Sequence, residues 1–171
     1  MTFLYILVFW YQINSDRLQE LPVANILRIS DSASLALHVM VLLAKNGGQQ
    51  FTNLQAAYLF HASEHTLAKV LQRLAKAGLV ESTRGPHGGF RLGQDANDTR
   101  LLAIYEAVEG RIGNPECLLS LPLCNGKACV LGGLVEKVHA EVMAYLSGTS
   151  LAALAERVQI PEPAAAAPAQ R

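Results

Sequence analysis

The part of the sequence that most constrains the fold runs from residue 63 to residue 92, where a helical pattern gives way to two short strands. Apolar residues recur there at the spacing of one buried helical stripe, namely Leu67, Val70, Leu71 and Leu74. Gly78 is placed to end this helix. The segments Leu79–Ser82 and Phe90–Leu92 then alternate like paired strands around Gly-Pro-His-Gly-Gly. The pattern predicts a helix, capped by Ser63, that is followed directly by a β-hairpin.

Two further helices are predicted upstream of that unit. Residues Asp31–Lys45 are apolar nearly all round, with the first or second residue as N-cap, so this helix should be covered on every side. Residues Thr52–Phe60 form a second, shorter helix, and a tight turn at residues 61–62 leads to the third. The order helix, helix, turn, helix, hairpin predicts a mainly α fold with a small β-hairpin wing, a winged helix-turn-helix.

The second half of the chain is predicted to be helical around one irregular loop. Thr99–Glu109 forms a fourth helix, Val130–Leu146 forms a long helix, and a short helix follows. The long helix carries an apolar stripe that either packs onto its own domain or contacts a second copy of the chain. We favour the second copy, because a terminal helix of this length would otherwise overhang a small domain. The stripe consists of Leu131, Leu134, Val135, Val138, Val142, Tyr145 and Leu146.

These patterns divide the chain into five segments. Residues 27–110 form the winged helix-turn-helix domain, 111–129 a cysteine-containing loop, and 130–157 the long helix with the terminal helix. Residues 158–171 are a Pro/Ala-rich tail that is predicted to be disordered. Residues 1–26 begin with an apolar run of about 12 residues, shorter than the roughly 20 that span a membrane. They form a membrane-associating anchor, an element packed on the domain, or an upstream stretch from a misassigned start, and we favour the last.

The charge of the chain is balanced overall but uneven along the sequence. There are 14 basic and 14 acidic residues, so the formal net charge is zero. Between residues 63 and 91, however, five basic residues stand against two acidic ones. A local basic patch is what phosphate binding requires, and charges elsewhere in the chain need not screen it in space.

The polar side of the third helix and the wing make a candidate surface for binding double-stranded DNA. A helix that enters the major groove needs one apolar face on its scaffold and one polar face toward bases and phosphates. The same face would suit an ordinary solvated helix, but the adjacent Gly-rich hairpin with its two arginines favours DNA. The candidate residues are Ser63, Glu64, His65, Thr66, Lys69, Gln72 and Arg73 on the helix and Arg84, Gly85, His87, Gly88, Gly89 and Arg91 on the wing.

The chain has three cysteines, Cys117, Cys124 and Cys129, within 13 residues. An odd, clustered set is a poor disulfide framework, and it suits metal ligation or redox chemistry in a reducing compartment better. We therefore expect a cytoplasmic protein. Cysteine thiolates are soft metal ligands, and a loop containing proline and glycine can bend them toward one centre. A loop with incidental cysteines is the alternative.

Patterns typical of enzymes are not found in the sequence. It has no Ser/His/Asp arrangement, no phosphate-binding glycine loop and no paired carboxylates in a cleft-forming context, and its cysteines lack C-x-x-C spacing. We expect a protein that is not an enzyme. A winged-helix adaptor that binds other proteins is the alternative to a DNA-binding regulator.

Three stretches of the chain resemble a known family. Leu27-Arg28-Ile29-Ser30 before an apolar helix, LAKVLQRLAKAGLVESTRGPHGGFRL at residues 67–92, and AVEG at residues 107–110 are similar to the BadM/IscR/NsrR regulators, also called the Rrf-two family. The resemblance runs from about residue 27 to residue 154. It implies a homodimeric winged-helix transcriptional regulator, a repressor or an activator, that binds a promoter operator and dimerises through residues 130–146. Of the two we favour a repressor.

The resemblance also implies a sensor, because several members of that family hold an iron–sulfur cluster that responds to redox state, nitric oxide or iron–sulfur status. The cysteines would then be ligands of a [2Fe-2S] or [4Fe-4S] cluster, whose type the C-x6-C-x4-C spacing leaves open. Three cysteines leave one ligand missing, and the resemblance offers His38 of the partner subunit. Taken alone, a single histidine on an apolar helix suits a packed, hydrogen-bonded core position better, and with the resemblance the core and ligand interpretations of His38 are level. Asp31 and Ser34 are further candidates, and a zinc site or a thiol-only redox switch is the alternative to a cluster.

Overall fold

A computed structural model describes residues 29–46, 50–85, 88–113 and 133–160. Its element order confirms the predicted mainly α fold with a two-stranded wing, because three helices precede an antiparallel hairpin and three follow it. None of the helices in these ranges is long and apolar enough to cross a membrane. The elements are α1 Asp31–Lys45, α2 Asn53–Leu59, α3 Glu64–Lys76, β1 Val80–Thr83, β2 Gly89–Leu92, α4 Leu101–Glu109, α5 Leu134–Gly148 and α6 Leu151–Arg157.

Helix α1 is the centre of the core, as its apolar sequence predicts. It packs against α3, α4, α6 and β2, and the side chains of Val39, Met40 and Leu42 are almost fully buried. The N-cap is Ser30, one residue earlier than predicted, since the Ser30 hydroxyl accepts a hydrogen bond from the Ala33 backbone N–H. At the other end of the core, the Lys45 ammonium donates to two backbone carbonyls at the end of α6.

Helices α2 and α3 form the predicted helix-turn-helix. Thr52 and Gln55 cap α2 reciprocally, each side chain accepting from the other residue's backbone N–H. His61 lies in the turn with φ 50°, and the Ser63 hydroxyl then accepts from the Thr66 backbone N–H to start α3. The predicted stripe of α3 is confirmed, because all four of its residues are buried.

The wing is an antiparallel hairpin whose register pairs Val80 with Leu92 and Thr83 with Gly89. Phe51 adds a backbone bridge to Phe90, with N···O distances of 3.0 and 2.8 Å, so the hairpin is fastened to the segment before α2. A Cβ on Gly89 would lie 2.6 Å from the Phe51 carbonyl oxygen. Only glycine allows this close backbone approach.

A turn at residues 95–98 leads from the wing toward α4. The backbone N–H and the side-chain amide of Asn97 donate to the Asp95 carboxylate and lower its pKa. Thr99 is buried, and its hydroxyl donates to the Asp95 backbone carbonyl at 2.9 Å. Helix α4 begins at Leu101, two residues later than predicted, because Arg100 takes an extended conformation and bridges to Ser150.

Helix α5 begins at Leu134, four residues later than predicted. Gly133 adopts a left-handed conformation with φ 80°, which an α-helix running on from Val130 could not contain. The helix ends at Gly148, and backbone hydrogen bonds join the following residues to the start of α4 (Leu101 N–H to the Thr149 oxygen, Leu151 N–H to the Thr99 oxygen). These bonds therefore join the connection between α5 and α6 to the start of α4.

Candidate nucleic-acid interface and sensor face

Helix α3 presents a polar face opposite its buried stripe. With about 100° per residue, His65, Gln72 and Lys76 point roughly 150° or more away from the centre of the stripe. Lys69 lies on the same side, and the side chains of all four residues are exposed. These four residues are called the outward face of α3 below. The face combines two cations with two groups that both donate and accept, which is a set suited to phosphates and base edges.

Three predicted contacts at the start of α3 have structural roles. The Ser63 hydroxyl accepts from the Thr66 backbone N–H at 3.0 Å and lies 2.8 Å from the Thr66 hydroxyl. The Glu64 backbone carbonyl accepts from the Asn53 side-chain amide at 3.0 Å, which ties the first turn of α3 to α2. All three side chains remain exposed, so the capping of the helix leaves them accessible from outside.

Two of the predicted cationic contacts are engaged with protein groups. The Arg91 guanidinium donates twice to one Glu81 carboxylate oxygen across the hairpin, at 3.0 and 2.7 Å. The Arg73 guanidinium donates to the Val108 backbone carbonyl at 2.6 Å. Arg84, by contrast, is exposed on the wing just after β1.

The glycines of the wing loop differ in their surroundings. Gly85 is exposed with φ 119°, and its carbonyl oxygen accepts from the Gly88 backbone N–H at 2.9 Å. A Cβ on Gly88 would meet the Thr83 carbonyl oxygen at 2.2 Å, so the loop closes too tightly for any side chain there. His87 lies outside the described residues. The structure thus brings the remaining wing candidates into one hairpin next to α3.

Asp31, Ser34 and His38 lie on one side of α1 and are called the sensor face below. Together they line a cavity of about 480 Å³ with Phe60, His61 and the start of α3. The His38 ring makes an edge contact with the Phe60 ring, with 6.1 Å between centroids. The sensor face is therefore adjacent to the turn that sets the position of α3.

His38 is exposed, so the interpretation of this residue as a packed core histidine is wrong. Its Nδ1 lies 2.7 Å from the Ser34 backbone carbonyl oxygen. Because a carbonyl oxygen only accepts, Nδ1 carries the proton, and Nε2 of the neutral ring keeps its lone pair. A metal-binding histidine is commonly oriented in this way, by a hydrogen bond from its other ring nitrogen.

The predicted cysteine ligands Cys117, Cys124 and Cys129 lie outside the described residues. Within the ranges that the structure covers, no group of three or more His, Cys, Asp or Glu side chains is placed to hold a metal ion. Of the predicted ligand set, the structure therefore describes only His38.

Helix α5 packs on its own domain along one side and is exposed along another. Leu146 is buried and Val142 packs against the core, but Leu134, Val138 and Tyr145 are 52%, 39% and 53% exposed. A largely apolar cavity of about 610 Å³ continues from this helix across α1 and α4 to α6. Exposed apolar side chains that adjoin an apolar cavity are typical of a protein–protein contact surface.

A family comparison decides what kind of protein carries these features. The model of the Rrf2 family, described as iron-dependent transcriptional regulator, matches residues 29–157. The chain belongs to the Rrf2 family. This confirms the predicted family and the winged-helix fold, and Rrf2 membership makes the protein a transcriptional regulator rather than an enzyme.

Individual relatives agree with this assignment. The chain is 29% identical over 125 residues to the HTH-type transcriptional regulator NsrR of Bacillus subtilis, covering 71% of this chain and 83% of that protein. It is 34% identical over 88 residues to the HTH-type transcriptional regulator IscR of Photobacterium profundum, a match that spans 52% of this chain and 51% of that protein. The structure of CymR, the global cysteine regulator of B. subtilis, superposes with a TM-score of 0.66 at 28% identity, covering 78% of this chain and all of that one.

Two residues contact the candidate site that no sequence pattern connects with it. Phe60 was expected only as a helix end, yet its ring joins the sensor face to the turn before α3. Val108 belongs to the AVEG stretch, and its backbone carbonyl binds Arg73. Neither contact leaves a local sequence pattern, because the contacting residues are 22 and 35 positions apart in the chain.

Proposed function

We propose that this protein is a homodimeric repressor that binds operator DNA through α3 and the wing. Its affinity for DNA would depend on the chemical state of the cysteine loop. The observation that carries the DNA-binding part is the outward face of α3, four exposed polar residues on a helix whose opposite stripe is buried. This arrangement fixes the helix on its scaffold and leaves the polar residues accessible to a major groove.

In this proposal the polar uncharged residues of α3 face base edges, beginning at its N-terminus, and its lysines face the backbone. His65 and Gln72 can each donate and accept, which base-edge recognition requires. Lys69 supplies a mobile point charge for a phosphate. Arg84, exposed at the start of the wing loop, contacts the DNA backbone or the adjacent minor groove.

The DNA-binding part is tested by titrating a labelled duplex from the gene's own promoter with wild-type protein and Arg84→Ala, across several salt concentrations. We expect Arg84→Ala to weaken binding to every duplex and to lower the slope of log K against log salt by about 0.9 per subunit. Thr83→Ala, a neighbouring exposed residue without charge, is the control and should keep the wild-type slope. Unchanged affinity in Arg84→Ala would remove the wing from the interface, and a wild type that binds no duplex would favour the adaptor.

The homodimer is supported by α5. Leu134, Val138 and Tyr145 lie on one side of the helix at the spacing of a coiled-coil-like contact. A second copy would cover this stripe and the adjoining cavity, so that two α3 helices are held at a fixed separation. Operators read by such dimers contain two half-sites whose spacing matches that separation.

The cysteine loop and His38 are proposed as the ligands of an iron–sulfur cluster. Cys117, Cys124 and Cys129 would supply thiolates, and His38 of the partner subunit would supply Nε2, which its hydrogen bond to Ser34 leaves unprotonated in the neutral ring. This donor set suits iron, and a bound cluster would make the ligand bonds sensitive to redox state or nitric oxide. Asp31 and Ser34 are on the same sensor face and are alternative ligands.

Packed side chains connect the sensor face to α3, the proposed DNA-recognition helix. The His38 ring contacts Phe60, the C-cap of α2, and the turn that follows leads directly to Ser63, the N-cap of α3. A change in how His38 is held would therefore act on the start of α3 through packed groups. DNA affinity and ligand state would then be thermodynamically linked.

The cluster is tested by purifying the protein without oxygen and measuring its visible absorbance, iron and sulfide. We expect a coloured protein, and we expect Cys117→Ala and His38→Ala to lose colour and iron. Ser120→Ala, in the same loop, should keep both. A colourless wild type with stoichiometric zinc would replace the cluster with a zinc site.

A thiol-only switch is the second candidate, and one observation favours it. The chain superposes on CymR, which is named a cysteine regulator, over all of that chain. A colourless, metal-free wild type whose DNA affinity changes on mild thiol oxidation, and does not change in Cys117→Ala, would establish this candidate.

A further inference from the structure

One cation of α3 is bound by the protein itself. The Arg73 guanidinium donates to the Val108 backbone carbonyl at 2.6 Å, a bond between residues 35 positions apart in the sequence. The bond joins the C-terminal half of α3 to the last turn of α4. A hydrogen bond from a charged donor is shorter and stronger than one between neutral groups.

The position of Arg73 around α3 differs from that of the outward face. With about 100° per residue, Arg73 points roughly 110° from the centre of the buried stripe, while Lys69, Gln72 and Lys76 point roughly 150° or more from it. Arg73 therefore lies at the edge between α3 and its scaffold. This is the side from which a long side chain can reach the neighbouring helix.

The end of α4 needs such a donor. Val108 is 5% exposed, and its carbonyl is among the last four of the helix, which have no intrahelical partner. The last turn of α4 has no basic residue, and it carries Glu106 and Glu109 at the negative end of the helix dipole. Arg73 supplies from α3 the positive charge that α4 lacks.

A second hydrogen bond fixes the same end of α4. The Ser30 hydroxyl, which caps α1, donates to the Glu109 carboxylate at 2.6 Å. The last turn of α4 is thus joined to α1 by Ser30 and to α3 by Arg73. Helices α3 and α4 also pack against each other, and the Arg73 bond is a polar contact that adds to this packing.

We propose that Arg73 is a positioning residue for DNA recognition, which holds α3 on the end of α4, and that it does not contact phosphate. This inference rests on the proposed DNA-binding function. It replaces the expectation that Arg73 belongs to the set of DNA contacts. The outward face would then act through Lys69 and Lys76, while Arg73 sets the orientation of the helix that carries them.

The test compares Arg73→Met with Lys69→Met in salt-dependent titrations of the promoter duplex. Both substitutions remove one positive charge from an exposed side chain of α3 and keep its apolar stem. We expect Arg73→Met to bind about tenfold more weakly at every salt concentration with an unchanged slope. We expect Lys69→Met to lower the slope by about 0.9 per subunit. Arg73→Lys, which can still donate to the carbonyl, should restore most of the affinity.

Amide hydrogen exchange distinguishes a positioning role from a phosphate contact, because loss of a phosphate contact would not change exchange rates in the free protein. Without DNA, Arg73→Met should speed exchange in the last turn of α4, and Lys69→Met should leave it unchanged. If Arg73→Met does not fold, NMR of isotope-labelled wild type tests the inference instead. The side-chain N–H signals of Arg73 are assigned by their loss in Arg73→Lys. We expect these signals to stay unchanged when the duplex is added.

Three results would overturn the inference: a slope reduced equally in Arg73→Met and Lys69→Met, an Arg73→Met affinity equal to wild type, or Arg73 signals that shift on DNA binding. Failure of the proposed function looks different, because wild type and both variants would then bind no duplex at all.

Discussion

The winged helix-turn-helix and helix α5 differ in how completely they bury their apolar side chains. In the first, the stripe of α3 is fully buried, the three helices have side-chain caps, and the wing is fastened through Phe51 and Phe90. In the second, Leu134, Val138 and Tyr145 remain exposed on a helix that is otherwise well formed. The first region buries its apolar residues within a single chain, and the second exposes apolar residues that the proposed second copy would cover. Stability should therefore depend on the chain alone for the first region and on association for the second.

The largest effect is expected from the core of α3. Leu71 is 1% exposed, so Leu71→Ala should lower the free energy of unfolding by about 2–5 kcal/mol, because it removes buried methyl groups and leaves a cavity. Denaturant unfolding should show the same loss at all protein concentrations. Tyr58→Ala, at a position that is 78% exposed, is the control and should cost little. A loss below about 1 kcal/mol in Leu71→Ala would contradict the assignment of this stripe to the core.

Substitution in the α5 stripe should act through association instead. Val138→Asp places a charge where the second copy is proposed to pack, so we expect the dimer dissociation constant to rise about thirtyfold or more. Analytical ultracentrifugation measures this shift. Leu54→Asp, at an exposed apolar position on α2, should leave the oligomeric state unchanged. A Val138→Asp protein that remains a dimer would place the interface elsewhere.

A smaller effect is expected at the start of α3, where Ser63 is both cap and proposed DNA-facing residue. Ser63→Ala removes the acceptor for the Thr66 backbone N–H and should lower the free energy of unfolding by about 1 kcal/mol. Ser63→Asn keeps a capping oxygen and should retain most of the stability. Thermal unfolding of the three proteins checks this, and equal stability of Ala and Asn variants would mean that the cap contributes nothing.

The smallest effect is expected at the ion pair of the wing. Arg91 and Glu81 are 51% and 54% exposed, and exposed pairs contribute about 0–1 kcal/mol after screening. Arg91→Met should therefore change the free energy of unfolding by less than about 1 kcal/mol. A larger loss in denaturant unfolding would show that the wing is held mainly by this pair and not by its backbone bridge to Phe51.

Much of the fold follows from local sequence patterns, because α1 is a nearly all-apolar segment, α3 has regular periodicity and the hairpin has clear turn residues. The errors occur where a tertiary contact or the conformation of a single glycine decides where a helix begins. Arg100 is extended because it bridges to Ser150, so α4 starts later than its apolar pattern begins. Gly133 interrupts the predicted long helix because glycine takes a left-handed conformation readily, a choice that an apolar stripe does not reveal.

The candidate site was predictable in its residue types but not in the role of each residue. The polar face of α3 and the arginines of the wing were evident from spacing and charge. That Arg73 binds Val108 and Arg91 binds Glu81 depends on how α3, α4 and the strands pack. The sequence suited His38 to a core position or to a ligand position, and its exposure in the structure excludes the core position.

The most direct test of the central claim is the number of chains that bind one promoter duplex, measured together with the salt dependence of that binding. We predict two chains per operator and a log–log slope that steepens with each phosphate neutralised. Binding of single chains, or binding that salt does not weaken, would contradict the account of a dimer that reads DNA through α3 and the wing.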